Sequence, residues 1–341
     1  MRLPLALDTK PMEARPVPAL PEGESWRYEP KWDGFRCLAF RDGERVELRS
    51  KSGQDLGRYF PDVAAVLTAL EAPAFVLDGE IVIPIERRLS FEALQLRLHP
   101  AASRVRKLAA EHPGVFIAFD LLAEEGDALV ERPFDDRRRA LEGFFARHGE
   151  SGNVRLSPSV RDRATALSWL DRLGADIDGI IAKRGDLPYL AGSRDGMQKY
   201  KLLRSADCVV AGFRYGKDSP FVGSLLLGLY DEAGLLHHVG FTATIAARDK
   251  PDLTRRLEGL VKPPGFTGRA PGGPSRWSIE RTGQWQPLRP ALVVEVRYDQ
   301  VTDRRFRHGT ALLRWRPDKT PTQCPFDQLP EPGDGALSLL E

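Results

Sequence analysis

Apolar positions follow two textures along the chain, and the change between them divides it. Up to about Arg204, short apolar runs alternate with helical patterns. The runs Val46–Leu48, Phe75–Ile83, Val115–Leu122 and Gly179–Lys183 are rich in β-branched and aromatic residues and predict strands. Between them, Val63, Val66, Leu67 and Leu70 fall at i, i+3, i+4 and i+7 behind Pro61 and Asp62, which predicts a helix and its start. Ser90 is placed to cap a second helix presenting Phe91, Leu94 and Leu98. A third follows Asp135 and Asp136 with Ala140, Leu141, Phe144 and Phe145 on one face, and a fourth carries Ala166, Leu167, Leu170 and Leu173.

After Ser205 the chain turns to short strands separated by Gly, Pro and Asp: Cys208–Phe213, Ser224–Tyr230, Leu235–Phe241, Leu292–Tyr298 and Leu312–Trp315. One helical stretch, with Leu253, Leu257 and Leu260 on a face, interrupts them. Such a set suits a small Greek-key barrel, for which the OB-fold is the natural candidate. The Pro/Gly-rich stretch from Pro263 to Ser275 predicts a loop. A length of 341 residues exceeds one ordinary core, so two domains are expected, residues 1–203 and 204–341, in an α+β protein.

Composition narrows the class. Apolar residues make up 42% and charged residues 29%, a globular balance without an apolar run long enough to cross a bilayer. The N-terminus is not a secretory signal, so a cytoplasmic protein with no membrane contact is expected. Cys37, Cys208 and Cys324 are odd in number and scattered, which predicts reduced thiols rather than a disulfide framework or a zinc site. The net charge of +2 hides an uneven distribution: Arg304, Arg305, Arg307, Arg314, Arg316 and Lys319 cluster against the single acid Asp318. That cluster suits a polyanion, nucleic acid or a nucleoside triphosphate, and reads equally as a solvated basic face.

Chemistry enters with Glu29-Pro30-Lys31-Trp32-Asp33-Gly34-Phe35-Arg36. Lys-x-Asp-Gly alone is a weak signal, and a lysine before an Asp-Gly turn is ordinarily a solvated surface residue. Further motifs follow in order: Ser50-Lys51-Ser52-Gly53, Leu77-Asp78-Gly79-Glu80-Ile81, Phe116 to Leu122, Asp178-Gly179-Ile180-Ile181-Ala182-Lys183, Gln198-Lys199-Tyr200-Lys201, and Arg314-Trp315-Arg316-Pro317-Asp318-Lys319. The set closely resembles the covalent nucleotidyltransferase superfamily, specifically ATP-dependent DNA ligases. It is most similar to the small stand-alone bacterial ligase C type and to the ligase module of bacterial ligase D, from Pro11-Met12 to the last basic motif. The resemblance implies an adenylyltransferase domain of ATP-grasp-like mixed sheets and helices, followed by a C-terminal OB-fold β-barrel.

It also implies roles. Lys31 is the nucleophile that carries AMP, and an amine with a reference pKa of about 10.4 attacks a phosphorus only in its neutral form. Lys199 and Lys201, at alternate positions of a strand, face one pocket and raise its positive potential; the resemblance has them hold the α-phosphate, while the plain alternative is a pair of exposed lysines. Glu80 is implied at the ribose or at a catalytic Mg²⁺ (or Mn²⁺), with Asp178 as second metal carboxylate, one methylene shorter than the family's commoner glutamate. Phe119 stacks on adenine, with Phe116 as fallback, although an aromatic at a strand end is ordinarily core. Glu29 accepts the adenine N6 proton, which favours ATP over GTP. Arg36 serves the ribose and the nick terminus. Lys51 stands where many ligases have arginine, so it meets the 5′-phosphate as a point charge, with Arg49 nearby to compensate. Met197 replaces a frequent aromatic residue. Arg316 and Lys319, in the last motif, orient the pyrophosphate leaving group, with Leu202 to Ala206 as hinge.

The implied function is sealing of 3′-hydroxyl/5′-phosphate nicks in double-stranded DNA, in repair, by a monomer with repair proteins as partners. A minimal enzyme is expected, without a zinc module, an appended polymerase or nuclease, or a separate N-terminal DNA-binding domain. Three rivals share part of the pattern: an mRNA-capping guanylyltransferase, which Glu29 and the Ser50 to Gly53 motif disfavour, an RNA ligase, and a catalytically silent OB-type nucleic-acid-binding protein.

Overall fold

The computed structural model describes residues 1–86, 88–149, 152–173, 177–272, 284–302, 304–330 and 335–340. The chain forms two compact units, Met1–Lys201 with Pro332–Glu341, and Leu202–Glu331.

Nine strands organise the first unit: β1 Arg15–Val17, β2 Trp26–Pro30, β3 Phe35–Asp42, β4 Arg45–Ser50, β5 Ala74–Val82, β6 Val115–Glu124, β7 Val154–Leu156, β8 Ile180–Arg184 and β9 Met197–Tyr200. One sheet has the order β7-β6-β5-β3-β4 and the other β1-β9-β8-β2. Because side chains alternate along a strand, β3 sends Cys37 and Ala39 to one face and Leu38 and Phe40 to the other. The first face packs under helices α1 Pro61–Thr68 and α4 Phe134–His148, through Phe60, Val63, Leu67 and Phe144. The second face meets Met12, Tyr189 and Met197, so the smaller sheet covers it. Strands covered on both faces read as unbroken apolar runs, which is why β5 and β6 are legible in the sequence. Between α1 and α4 lie α2 Phe91–Arg97 and α3 Ala102–Glu111, and α5 Arg163–Leu173 follows α4. Ser90 caps α2 as expected, its Oγ accepting from Ala93 N–H at 3.2 Å.

The whole Leu77-Asp78-Gly79-Glu80 motif lies inside β5, within the run Phe75–Ile83 expected to be a strand. Gly79 is needed for close packing rather than for a turn. A Cβ there would come within 2.5 Å of the Phe116 ring and 2.6 Å of the Ile117 carbonyl oxygen on the neighbouring strand.

The second unit contains β10 Arg204–Tyr215, β11 Val222–Tyr230, β12 Leu236–Thr242, β13 Val293–Tyr298 and β14 Ala311–Trp315, with α6 Lys250–Glu258. They form one antiparallel sheet in the order β12-β11-β10-β13-β14. Register shifts at Val210/Gly212, Leu227/Gly228 and Glu295/Val296 curl it. The two edge strands approach each other at a single bridge, Thr242 to Thr310. There Thr310 N–H donates to the Phe241 carbonyl at 3.0 Å and Thr242 Oγ1 to the Thr310 carbonyl at 2.9 Å. The unit is therefore OB-like, but among the described residues no ladder closes the expected barrel. Residues 263–272 form no named helix or strand, as expected of a loop, while residues 273–275 of that expectation lie outside the described residues.

Gly79→Ala should cost about 1–3 kcal/mol of unfolding free energy through overpacking, measured by denaturant titration. Wild-type stability in this variant would contradict the packing of β5 against Phe116.

Candidate active site

Lys31 follows directly on β2. Its N–H donates to the Gly179 carbonyl at 2.9 Å, and Asp178 N–H donates to the Lys31 carbonyl at 3.0 Å. This reciprocal pair lays Asp178-Gly179 against the lysine. Gly179 has φ +133°, and a Cβ there would fall 2.1 Å from the Tyr200 carbonyl oxygen, so only glycine permits the approach. The Asp178 carboxylate then spans two ammoniums, with Oδ2 2.5 Å from Lys31 Nζ and Oδ1 2.9 Å from Lys201 Nζ. The Asp178 side chain is less exposed than that of either lysine. Lys199, on β9, has its pKa lowered by burial and then by the ammoniums of Lys31, Lys201 and Lys51. Lys51 is itself held by Glu13 at 3.0 Å. Four lysines from three separate segments thus share one field.

Glu80 projects from β5 and accepts a hydrogen bond from Gly34 N–H at 3.2 Å. A Cβ on Gly34 would lie 2.2 Å from the Ile81 carbonyl oxygen and 2.8 Å from Glu80 Cγ, which explains glycine after Asp33. Although part of Glu80 reaches solvent, protein atoms crowd its carboxyl, and this burial pushes its pKa up to about 7 against the opposing pull of Arg36 and Lys31. Asp33 and Asp78 push in the same direction as burial. Among the described residues no cluster of three or more His, Cys, Asp or Glu forms a metal cage.

Glu29 lies on β2, opposite Ile181 of β8, and is buried. Its Oε2 sits 2.8 Å from Lys183 Nζ. Its Oε1 has no hydrogen-bond partner among the described residues, and Arg138 Nη1 lies 3.9 Å from it. An acceptor buried without a donor costs free energy unless a ligand supplies one. Lys183 also donates to the Phe119 carbonyl at 3.2 Å and lies 4.6 Å from the Phe119 ring centre. Arg36 covers the same ring at 4.4 Å and is gripped by Asp78 through two hydrogen bonds of 2.6 Å. The Tyr189 hydroxyl donates to Asp78 at 2.6 Å. Phe116, the fallback aromatic, is fully buried in the helix-side core with its ring beside Gly79, leaving no face for a ligand.

In the second unit, Arg316 and Lys319 converge on Asp207, at 2.9 Å and 2.5 Å. Glu295 receives Arg314 at 2.6 Å. The basic run that faces a single acid in the sequence is therefore met by two more, brought from β10 and β13.

The structure gathers Lys31, Asp178, Lys199 and Lys201, places Glu80 within the field of Lys31, and groups Glu29, Phe119 and Arg36 around Lys183. Sequence reasoning gave no role to Lys183, Asp78, Tyr189 or Asp207. Lys183 and Asp78 stood inside quoted motifs, whereas Asp207 and Tyr189 carry no local signal. The three cysteines are free and buried. Among the described residues no helix is long and apolar enough to cross a membrane.

Residues 11–201 match the family described as ATP dependent DNA ligase domain, and residues 218–319 match the ATP dependent DNA ligase C terminal region. The chain is 45% identical over 343 residues to DNA ligase C1 of Mycolicibacterium smegmatis, covering 97% of each. It is 31% identical over 305 residues to the multifunctional non-homologous end joining DNA repair protein LigD of Mycobacterium tuberculosis, covering 89% of this chain and 37% of that protein. A solved structure described as a structure-function analysis of Lig E DNA ligases, with DNA binding by a minimal scaffold, shares the fold. Its TM-score is 0.57 at 17% identity, covering 90% of this chain and 99% of that one.

Because Glu80 takes up its proton more readily when folded, stability falls as pH rises from the ordinary 4.5 to about 7. Thermal unfolding of Glu80→Gln should show a shallower loss across that window than wild type. Parallel curves would contradict the burial of the carboxyl.

Proposed function

The chain belongs to the ATP-dependent DNA ligases, and we propose that it seals 3′-hydroxyl/5′-phosphate nicks in duplex DNA with AMP carried on Lys31. In the first step the Lys31 amine forms a bond to the α-phosphorus of ATP, the bond from that phosphorus to the bridging oxygen breaks, and pyrophosphate leaves with the electron pair. The amine proton passes to solvent. AMP then moves to the 5′-phosphate of the nick, and the 3′-hydroxyl displaces it, closing the backbone.

The observation that carries this reading is the Lys31–Asp178–Lys201 cluster with Lys199 beside it. Cations so arranged suit the charge that grows on a transferring phosphoryl group. Lys199 and Lys201 would hold the α-phosphate, and Glu29 Oε1, a buried acceptor lacking a donor, suits the exocyclic amine of adenine. The keto oxygen of guanine offers that acceptor no proton, which weighs against a capping enzyme. Phe119 and Arg36 would flank the nucleoside, and Lys51 would meet the 5′-phosphate.

Mg²⁺ fits this chain in the mode it commonly takes, one or two carboxylates completed by substrate phosphates and water. Glu80 and Asp178 would hold it, and it would supply charge neutralisation on the phosphates. Repair is the setting we favour, on the similarity to a protein named for end-joining DNA repair.

Incubation with ATP and Mg²⁺ should raise the intact mass by one AMP, and the product should seal a nicked duplex. Lys31→Ala should lose both. Modification by GTP alone, or no mass gain with ATP, would overturn the reading. Glu29→Leu should raise the KM for ATP roughly tenfold or more, since a hydrogen bond to a charged group contributes about 1.5–3 kcal/mol. An unchanged KM would remove Glu29 from the adenine pocket.

A further inference from the structure

Asp207 on β10 faces Glu295 directly across the ladder to β13. Like charges so paired destabilise a sheet unless cations neutralise them. The last motif supplies those cations. Arg316 approaches both Asp207 oxygens, at 2.9 and 3.0 Å, Lys319 lies 2.5 Å from Oδ2, and Arg314 lies 2.6 Å from Glu295. Asp207 is pinned in turn by Gln328: its N–H donates to Gln328 Oε1 at 2.9 Å, and Gln328 Nε2 donates to its carbonyl at 3.2 Å. The far edge of the Arg316 guanidinium is fixed by Asp318 at 2.7 Å. Asp207 is thus a rigid, buried acid to which a guanidinium and an ammonium are both fastened.

We infer that Asp207 is the positioning residue for the Arg316–Lys319 pair, holding two cations side by side for the pyrophosphate leaving group of the self-adenylylation step. The inference rests on the reading above that these two residues serve that group. Two cations three residues apart repel and wander when nothing lies between them. A carboxylate touching both cancels part of the repulsion and sets the spacing at which two phosphate oxygens can be met together. The carboxylate touches no reacting atom, so its influence passes entirely through Arg316 and Lys319. It should matter when pyrophosphate is made or consumed and be silent in later steps.

The test compares wild type and Asp207→Asn in three assays: single-turnover self-adenylylation with ATP, return of AMP from the adenylylated enzyme to added pyrophosphate, and sealing of a nick already carrying 5′-AMP. The variant should self-adenylylate about tenfold or more slowly and need a correspondingly higher pyrophosphate concentration, while sealing the adenylylated nick within about twofold of wild type. Adding Asp207→Asn to Arg316→Ala should slow self-adenylylation much less than it slows wild type, since the pair acts as a unit. Equal loss in sealing, including loss through misfolding, would reduce Asp207 to a structural role and overturn the inference. Unchanged or faster self-adenylylation would overturn it as well. A wild-type protein that takes up no AMP would instead refute the functional reading.

Discussion

One carboxylate between two ammoniums decides what the first unit can do. Lys31 and Lys201 approach the same Asp178 carboxylate, with Lys199 close enough to feel both. Without a negative charge at their centre, cations brought this close in a partly desolvated space would push the strands that carry them apart. With it, the lysines are held until a phosphate takes over the carboxylate's part. The backbone serves that contact: Gly179 passes against the Tyr200 carbonyl where no side chain fits, and the hydrogen bonds from Lys31 N–H to the Gly179 carbonyl and from Asp178 N–H to the Lys31 carbonyl fix Asp178 beside the lysine.

The same economy of charge recurs. Asp78 and Asp120 face each other across β5 and β6, and each is gripped by its own arginine, Arg36 and Arg137. Asp207 and Glu295 repeat the arrangement in the second unit. Buried acids set opposite one another make sockets for guanidinium groups, and an arginine so held presents its remaining surface in a fixed direction. Arg36 turns that surface to Phe119. At Glu29 the balance is left incomplete, since Lys183 satisfies one oxygen and the other has no donor among the described residues.

Much of this was legible in the sequence. Apolar runs identified β5, β6 and the sheet of the second unit because burial on both faces leaves a continuous signature. Capping by Ser90 and the Pro61-Asp62 start identified two helices. Lys31, Lys199, Lys201 and Asp178 were singled out as candidates by the ordered motifs that contain them. Their mutual ion pairs were not, because chain proximity carries no information about which carboxylate meets which amine. Asp207 escaped for the same reason, sitting in an apolar strand more than a hundred residues from its partners. The packing requirement at Gly79 was not legible, because the Phe116 ring that imposes it stands on the neighbouring strand.

Several lysines compete for the role given to Lys31, since Lys199, Lys201 and Lys183 are all close to a carboxylate, a cation or an aromatic ring in the same unit. Peptide mapping of the ATP-treated protein by tandem mass spectrometry separates them. The account predicts AMP on the peptide bearing Lys31 and on no other. AMP on Lys199, Lys201 or Lys183 would contradict it.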